Sequence, residues 1–211
     1  MEKGYITWLD EMKEKHKAFL SYVDFVVGVE HSDQTFSSFK PVANSQGDDT
    51  HSKTVVQRIA ENPFASYLFY GKSGTGKNHL ASAISQCVIM AELEAGRVVC
   101  PKIMNTTPFK ISESVRGAMD KGGKKSIMDD CKASKLLVLN EIGRSKGSEF
   151  ENNILFDLLD YRLELKKQTI LISGMALEDL QALFGMALSD RVYSSCSVVC
   201  FDWQSYRKPK E

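Results

Sequence analysis

One run of residues, Leu68 to Leu80, constrains this chain more than any other: Leu-Phe-Tyr-Gly-Lys-Ser-Gly-Thr-Gly-Lys-Asn-His-Leu. Leu68 to Tyr70 is short and apolar, which predicts the end of a buried strand. Three glycines, Gly71, Gly74 and Gly76, lead to Lys77. A helical run follows, with Leu80, Ala83, Ile84, Cys87 and Val88 apolar. Gly-x-x-x-x-Gly-Lys between a strand and a helix is a phosphate-binding loop. The glycines allow φ > 0 and let backbone N–H groups close on oxygen atoms. The helix N-terminus adds partial positive charge at the same spot. The expected phosphate site is therefore Gly71, Lys72, Ser73, Gly74, Thr75, Gly76, Lys77, Asn78 and His79. Lys77 would meet the β and γ phosphates as a point charge. The next position normally carries a Ser or Thr hydroxyl on Mg²⁺. Asn78 stands there instead, and its amide oxygen can ligate a hard cation on a longer arm.

Lys135 to Gly143, Lys-Leu-Leu-Val-Leu-Asn-Glu-Ile-Gly, is the second informative stretch. Apolar residues that end in two polar ones predict a central parallel strand and its C-terminal edge. Ligands of open α/β sheets sit outside that edge. In a nucleoside triphosphatase an Asp there holds a Mg²⁺-bound water, and the following Glu polarises the attacking water. This chain has Asn140 in the Asp position and keeps Glu141. Asn has the size of Asp without its charge, so it should hold hydrated Mg²⁺ less well.

The remaining elements follow the same alternation. Ser52 to Asn62 reads as a short helix closed by Pro63. The helix after the phosphate loop should run to about Ala95 and stop at Gly96. Arg97 to Met104 reads as a strand, placed at an edge by Pro101. Ile111 to Met119 reads as a helix, and Asp120 to Lys125 as a basic loop. Glu149 to Lys167 has one apolar face, Phe150, Ile154, Leu155, Leu158, Leu159 and Leu163, with acids at its start and lysines at its end. Thr169 to Ser173 is a strand whose end is where a polar sensor of the γ-phosphate belongs, a part Ser173 can play only weakly. Leu177 to Phe184 and Met186 to Tyr193 read as helices, and Ser197 to Phe201 as the last strand. The expected fold is α/β: a parallel sheet with helices on both faces and no separate C-terminal helical lid.

Upstream, residues 1–30 form a short N-terminal helical segment with a broken apolar stripe. It can dock a partner or pack back on the domain. Residues 31–50 are polar connecting structure, anchored by Phe36 and Phe39, and residues 51–211 are the nucleotide domain. The chain has 211 residues, 43% of them hydrophobic, enough for one domain and its core. Lys+Arg and Asp+Glu both number 27, so any nucleic-acid contact must come from a local patch. No apolar run reaches the ~20 residues of a membrane span, and no signal core opens the chain, so a cytoplasmic setting is expected. Five cysteines are present. Cys196 and Cys200 lack a matching second pair for a metal, which favours strand packing.

Four segments together resemble one family: 71–80, 136–143, Ser-Asp-Arg at 189–191, and Phe-Asp-Trp-Gln-Ser-Tyr-Arg at 201–207. They look like the DnaC family of bacterial replicative helicase loaders, within the DnaC/IstB-type AAA+ ATPases. Lys-Asn-His-Leu and the Trp-x-Ser-Tyr-Arg tail favour DnaC over the transposition ATPase IstB. The resemblance covers roughly Phe36 to Lys208. It implies an oligomeric P-loop AAA+ ATPase that acts on a DnaB-type helicase and helps place it on single-stranded DNA. By position, Lys77 and Asn78 would bind ATP·Mg²⁺, Asn140 would hold Mg²⁺ through water, and Glu141 would activate water. Arg191 would be an arginine finger, so that hydrolysis depends on self-association; its plain alternative is a surface salt bridge. Arg144, Lys146 and Ser148, with Phe150 beside them, fall on the family's DNA-facing surface. Phe150 also fits the apolar helix face, and core packing is its expected role. Three departures stand out: Asn140 for Asp, Ser173-Gly174 in the sensor region, and a short segment before the core. They keep a second reading open, an ATP-gated adaptor or inhibitor with little hydrolysis, and a third, an IstB-like transposition ATPase.

Overall fold

The structure is a computed structural model, and it describes residues 33–43, 47–95, 102–120, 127–144 and 148–207. The N-terminal helical segment, the basic loop after Asp120, and Lys146 lie outside the described residues. The chain divides into two compact units. One contains residues 65–71 and 102–200; the other contains residues 1–64, 72–101 and 201–211.

The first unit is built on a five-stranded sheet. The strands are β1 (Tyr67–Gly71), β2 (Ile103–Thr106), β3 (Leu136–Ile142), β4 (Thr169–Ser173) and β5 (Ser197–Phe201, whose last residue is counted with the other unit), in the order β2-β3-β4-β1-β5. β2 pairs parallel with β3, β3 with β4, and β4 with β1. Leu136 to Leu139 are all buried, and so is every residue of β4. A strand buried on both faces must be apolar without alternation, which is how Leu-Leu-Val-Leu and Thr-Ile-Leu-Ile-Ser read. β2 is an edge strand and begins at Ile103; Arg97 to Pro101 lie outside the described residues.

The connections are helical. In chain order within this unit they are Pro108–Asp120, Ile127–Ala133, Glu149–Glu164 and Leu177–Ser195. The other unit holds Thr50–Glu61 before β1 and Lys77–Glu94 after it. Numbered along the chain, these are α1 (Thr50–Glu61), α2 (Lys77–Glu94), α3 (Pro108–Asp120), α4 (Ile127–Ala133), α5 (Glu149–Glu164) and α6 (Leu177–Ser195). Helix α5 starts where its sequence says it should: Ser148 is the N-cap, and its side chain accepts the Glu151 N–H at 3.3 Å. Its apolar face, Leu155, Leu158, Leu159 and Leu163, joins Leu137, Leu139, Leu171, Leu180, Phe184 and Val192 in one core. Phe150 is not part of that core. It is half-buried, and the Arg116 guanidinium stacks over its ring with 4.9 Å to the centroid. The first turn of α5 projects beyond the buried stripe, so its aromatic pairs with a cation instead. Helix α6 is interrupted at Gly185, at φ 69°, where the sequence reading had ended one helix and begun another.

Helix α4 was not expected, and Arg162 explains how so short a helix is held. Arg162 is fully buried on α5. Its Nη1 donates to the carbonyls of Cys131 (2.6 Å) and Ser134 (3.0 Å), which close the C-terminal end of α4. The same nitrogen donates to Ser134 Oγ at 3.0 Å. Nη2 donates to Gln168 O at 2.6 Å and Nε to Thr169 Oγ1 at 3.0 Å, at the entry of β4. Burial lowers the guanidinium to about 10, so it is still charged at neutral pH. One rigid fork thus ties a helix end, a loop and a strand start. Arg162→Met fills similar space but strips those carbonyls of their donor. It should cost about 2–4 kcal/mol of unfolding free energy in a urea titration, since several buried acceptors lose their partner.

Candidate functional site: the phosphate loop

Gly71, Gly74 and Gly76 have φ of 109°, 77° and 92°. These are the conformations that only glycine adopts without strain. The alternation turns the main chain between β1 and α2 into a concave nest of amides at the N-terminus of an 18-residue helix. Lys77 opens that helix and is 8% exposed. Its Nζ donates to Lys72 O at 2.5 Å and lies 5.8 Å from the centroid of the Phe201 ring. The Thr75 hydroxyl donates to the same Lys72 carbonyl at 2.7 Å. The lysine head is thus folded over the loop itself. Lys72, Ser73 and Asn78 are exposed.

The outer side of the loop is covered by two segments of the same unit. Trp203 is 2% exposed, and its Nε1–H donates to Thr75 O at 2.9 Å. The Tyr206 N–H donates to Gly74 O at 2.9 Å. A Cβ on Gly74 would lie 2.1 Å from Ser205 Oγ, and one on Gly76 would lie 2.6 Å from Phe39 Cε2. The two glycines therefore serve the outside of the loop as well as its inside. His79 extends this packing. Its Nε2–H donates to Thr35 O at 2.7 Å, and its ring meets Phe39 edge-on with 5.2 Å between centroids. The imidazole is therefore occupied with residues 35–39, while its main chain belongs to the first turn of α2. Phe36 and Phe39 are buried, as the sequence implied. The residues 33–43 are better described as an outer wall of the loop than as a connection.

In the sheet unit, β1 and β3 run parallel with β4 between them. Their C-terminal ends therefore share one edge of the sheet. Gly71 ends β1 and Asn140-Glu141 stand near the end of β3. Asn140 is half-buried and Glu141 exposed. Glu141 has φ 59°, an uncommon value for a residue with a Cβ. A turn follows, in which the Arg144 N–H donates to Glu141 O at 3.2 Å and the Arg144 guanidinium pairs with the Glu141 carboxylate. Gly143 (φ 74°) completes the turn under Met175, whose Sδ would be 1.9 Å from an added Cβ. Ser173 is buried, its hydroxyl donating to Ile142 O at 2.8 Å and accepting the Met175 N–H at 3.1 Å. Its only proton is spent fastening β4 to the end of β3. Ser148, proposed for DNA, is the cap of α5 and also lies 3.4 Å from Arg116 Nη2. Arg191 is on α6 and pairs with Asp160 of α5.

Among the described residues, Cys87, Cys131 and Cys196 are buried and Cys200 is half-buried. Burial pushes the Cys131 thiol up to about 11 and the Cys196 thiol up to about 12. Among the described residues there is no group of three or more His, Cys, Asp or Glu that could hold a metal ion. Magnesium would come with a nucleotide's phosphates, and the exposed Asn78 amide is a loop group that could join it. Among the described residues no helix is long and apolar enough to cross a membrane.

The parallel strand order and the glycine loop that leads from β1 into α2 give an α/β P-loop fold. The model of the IstB-like ATP-binding proteins matches residues 53–211, and the chain belongs to that family. Among curated proteins it is 30% identical over 158 residues to a replicative helicase loader DnaC of Buchnera aphidicola, covering 74% of this chain and 62% of that protein. It is 26% identical over 178 residues to the Escherichia coli DnaC, covering 84% and 70%. The chain thus spans about three-fifths to seven-tenths of these relatives. A crystal structure of the DnaC helicase loader superposes with a TM-score of 0.64 at 18% identity, covering 82% of this chain and 99% of that one. AMPPCP-bound DnaA from Aquifex aeolicus gives 0.60 at 19% identity, covering 80% and 50%.

Two outcomes test this description. Gly76→Ala puts a Cβ at positive φ against Phe39 and should cost about 1–3 kcal/mol, read from thermal melts without nucleotide. Burial lowers the His79 pKa from its ordinary 6.5, opposed by its bond to Thr35 O. The unfolded chain then binds the proton more readily. His79's contribution is complete above the unfolded value and fades as pH falls through about 6.5 toward the lower folded value. Melting temperature should therefore drop between pH 7.5 and 5.5, and His79→Gln should flatten that drop.

Proposed function

We propose that this chain is an ATP-dependent loader of a DnaB-type replicative helicase onto single-stranded DNA, with weak ATP hydrolysis. What supports this most is the glycine loop at 71–78, with positive φ at Gly71, Gly74 and Gly76, in a chain whose relatives named replicative helicase loaders align along most of its length. Lys77 and the loop amides would hold the β and γ phosphates of ATP. Mg²⁺, when bound, neutralises phosphate charge, and Asn78 would join it directly while Asn140 would reach it through water. Glu141 would orient and polarise the attacking water. Arg191 would exchange the Asp160 carboxylate for a phosphate on a neighbouring subunit, so that hydrolysis depends on assembly. Arg144, Lys146 and Ser148 would contribute to a single-strand surface.

The weak turnover has two physical grounds. Asn140 is neutral where a Mg²⁺-water carboxylate belongs. Ser173 has spent its proton on Ile142 O, so it has none for a γ-phosphate. The same two features support the second reading, an ATP-gated adaptor or inhibitor of a helicase or its loader. Membership of the IstB-like ATP-binding family is compatible with a third reading, an IstB-like transposition ATPase.

The deciding experiment is steady-state ATP turnover by the full chain with Mg²⁺, single-stranded DNA and a DnaB-type helicase. Turnover that Lys77→Ala and Glu141→Gln both abolish supports the loader, Glu141→Gln still binding ATP. Tight ATP binding without turnover supports the adaptor. Asn140→Asp should raise turnover several-fold. Arg191→Ala should leave binding by the isolated subunit intact and remove the assembly-dependent part of the rate.

A further inference from the structure

In a trans peptide the C=O and the following N–H lie in one plane and point to opposite sides of the C–N bond. Fixing the carbonyl therefore fixes the direction of the next residue's N–H. In the phosphate loop two successive carbonyls are fixed from outside by the chain's C-terminal segment. The Tyr206 N–H holds Gly74 O, which sets the Thr75 N–H. The Trp203 indole N–H holds Thr75 O, which sets the Gly76 N–H. Both set amides belong to the Gly-x-x-x-x-Gly-Lys nest.

We propose that Trp203 and the Tyr206 main chain are positioning elements for nucleotide binding: they lock two consecutive peptide planes of the loop so that the Thr75 and Gly76 amides face the phosphates. This rests on the reading of residues 71–78 as an ATP site and adds the device that presets it. Trp203 is suited to the task because it cannot drift. Its ring is buried, stacks at a tilt on Phe201 with 4.8 Å between centroids, and meets His51 at 5.6 Å. Tyr206 is fixed at its far end, where its hydroxyl donates to Lys40 O and its ring meets Phe39 edge-on at 5.7 Å. The Ser205 side chain occupies the space a Cβ on Gly74 would take. A preset nest pays less ordering cost when the ligand arrives. Without the indole donor, Thr75 O is a buried acceptor with no partner, and the peptide gains by turning over.

The experiment uses the full chain, ATP·Mg²⁺ titrated at 25 °C, and circular dichroism to confirm that each variant is folded there. Trp203→Phe keeps a buried aromatic and removes the N–H. It should weaken ATP binding about tenfold, the scale of one buried hydrogen bond. Tyr206→Pro removes the main-chain donor, and Tyr206→Ala removes only the ring, so Pro should cost more than Ala. This pair keeps the inference testable if Trp203→Phe does not fold. Amide NMR supplies a readout that a purely structural role would not move: the ATP-induced shifts of Thr75 and Gly76 should shrink selectively in Trp203→Phe. Unchanged affinity and unchanged shifts in folded Trp203→Phe, or equal effects of Pro and Ala at 206, would overturn the inference and leave the ATP site standing. No ATP binding by the unaltered chain would sink the nucleotide reading and this inference with it.

Discussion

A loop that turns its amides inward must turn carbonyls outward, and buried carbonyls need donors. The structure around residues 71–79 depends on that requirement. Gly74 O takes the Tyr206 N–H, Thr75 O takes the Trp203 indole, and Lys72 O takes both the Thr75 hydroxyl and the Lys77 ammonium. Segments distant in sequence are drawn to one place for this reason. Residues 33–43 and 201–207 have little secondary structure of their own, yet Phe36, Phe39 and Trp203 are buried. Their order comes from the loop they cover.

The sheet unit solves a parallel problem at the other end of its strands. The carbonyls that close α4 and lead into β4 converge on one guanidinium, that of Arg162. A neutral donor would offer fewer hydrogen bonds, and a lysine could not reach them in a plane. At the opposite edge, β3 ends in Asn140-Glu141, a left-handed Glu141 and a tight turn through Gly143. Ser173 ties this end to β4. Glu141 and Ser173 at that edge are held by specific bonds, and each bond limits what the side chain can still do. Ser173 illustrates the point, because its position fits a sensor and its only proton is already used.

Much of this was legible in the residues. Apolar runs without alternation marked β3 and β4. The apolar face and the charge bias from Glu149 to Lys167 marked α5, while the Ser148 cap came from the structure. Gly185 marked the break in α6. The glycine-lysine spacing marked the nest before any fold was known. Other features left no local trace. Helix α4 is seven residues long, and its sequence, Ile-Met-Asp-Asp-Cys-Lys-Ala, has no strong period. No spacing in the sequence singles out Arg162, and only the packing shows its carbonyl partners. Phe150 fitted the apolar stripe of α5 by spacing, but it lies at the first turn, where Arg116 covers it.

The sequence alone determined that residues 71–77 form a glycine loop between strand and helix, because glycine at those spacings permits the backbone that the loop adopts. It also determined the parallel α/β order, because strand and helix periods alternate along the chain. The tertiary structure decided which residues support the loop from outside and which polar groups remain uncommitted. Those are matters of long-range hydrogen bonding between residues as far apart as Thr75 and Trp203, and no periodicity within a single stretch of chain encodes them.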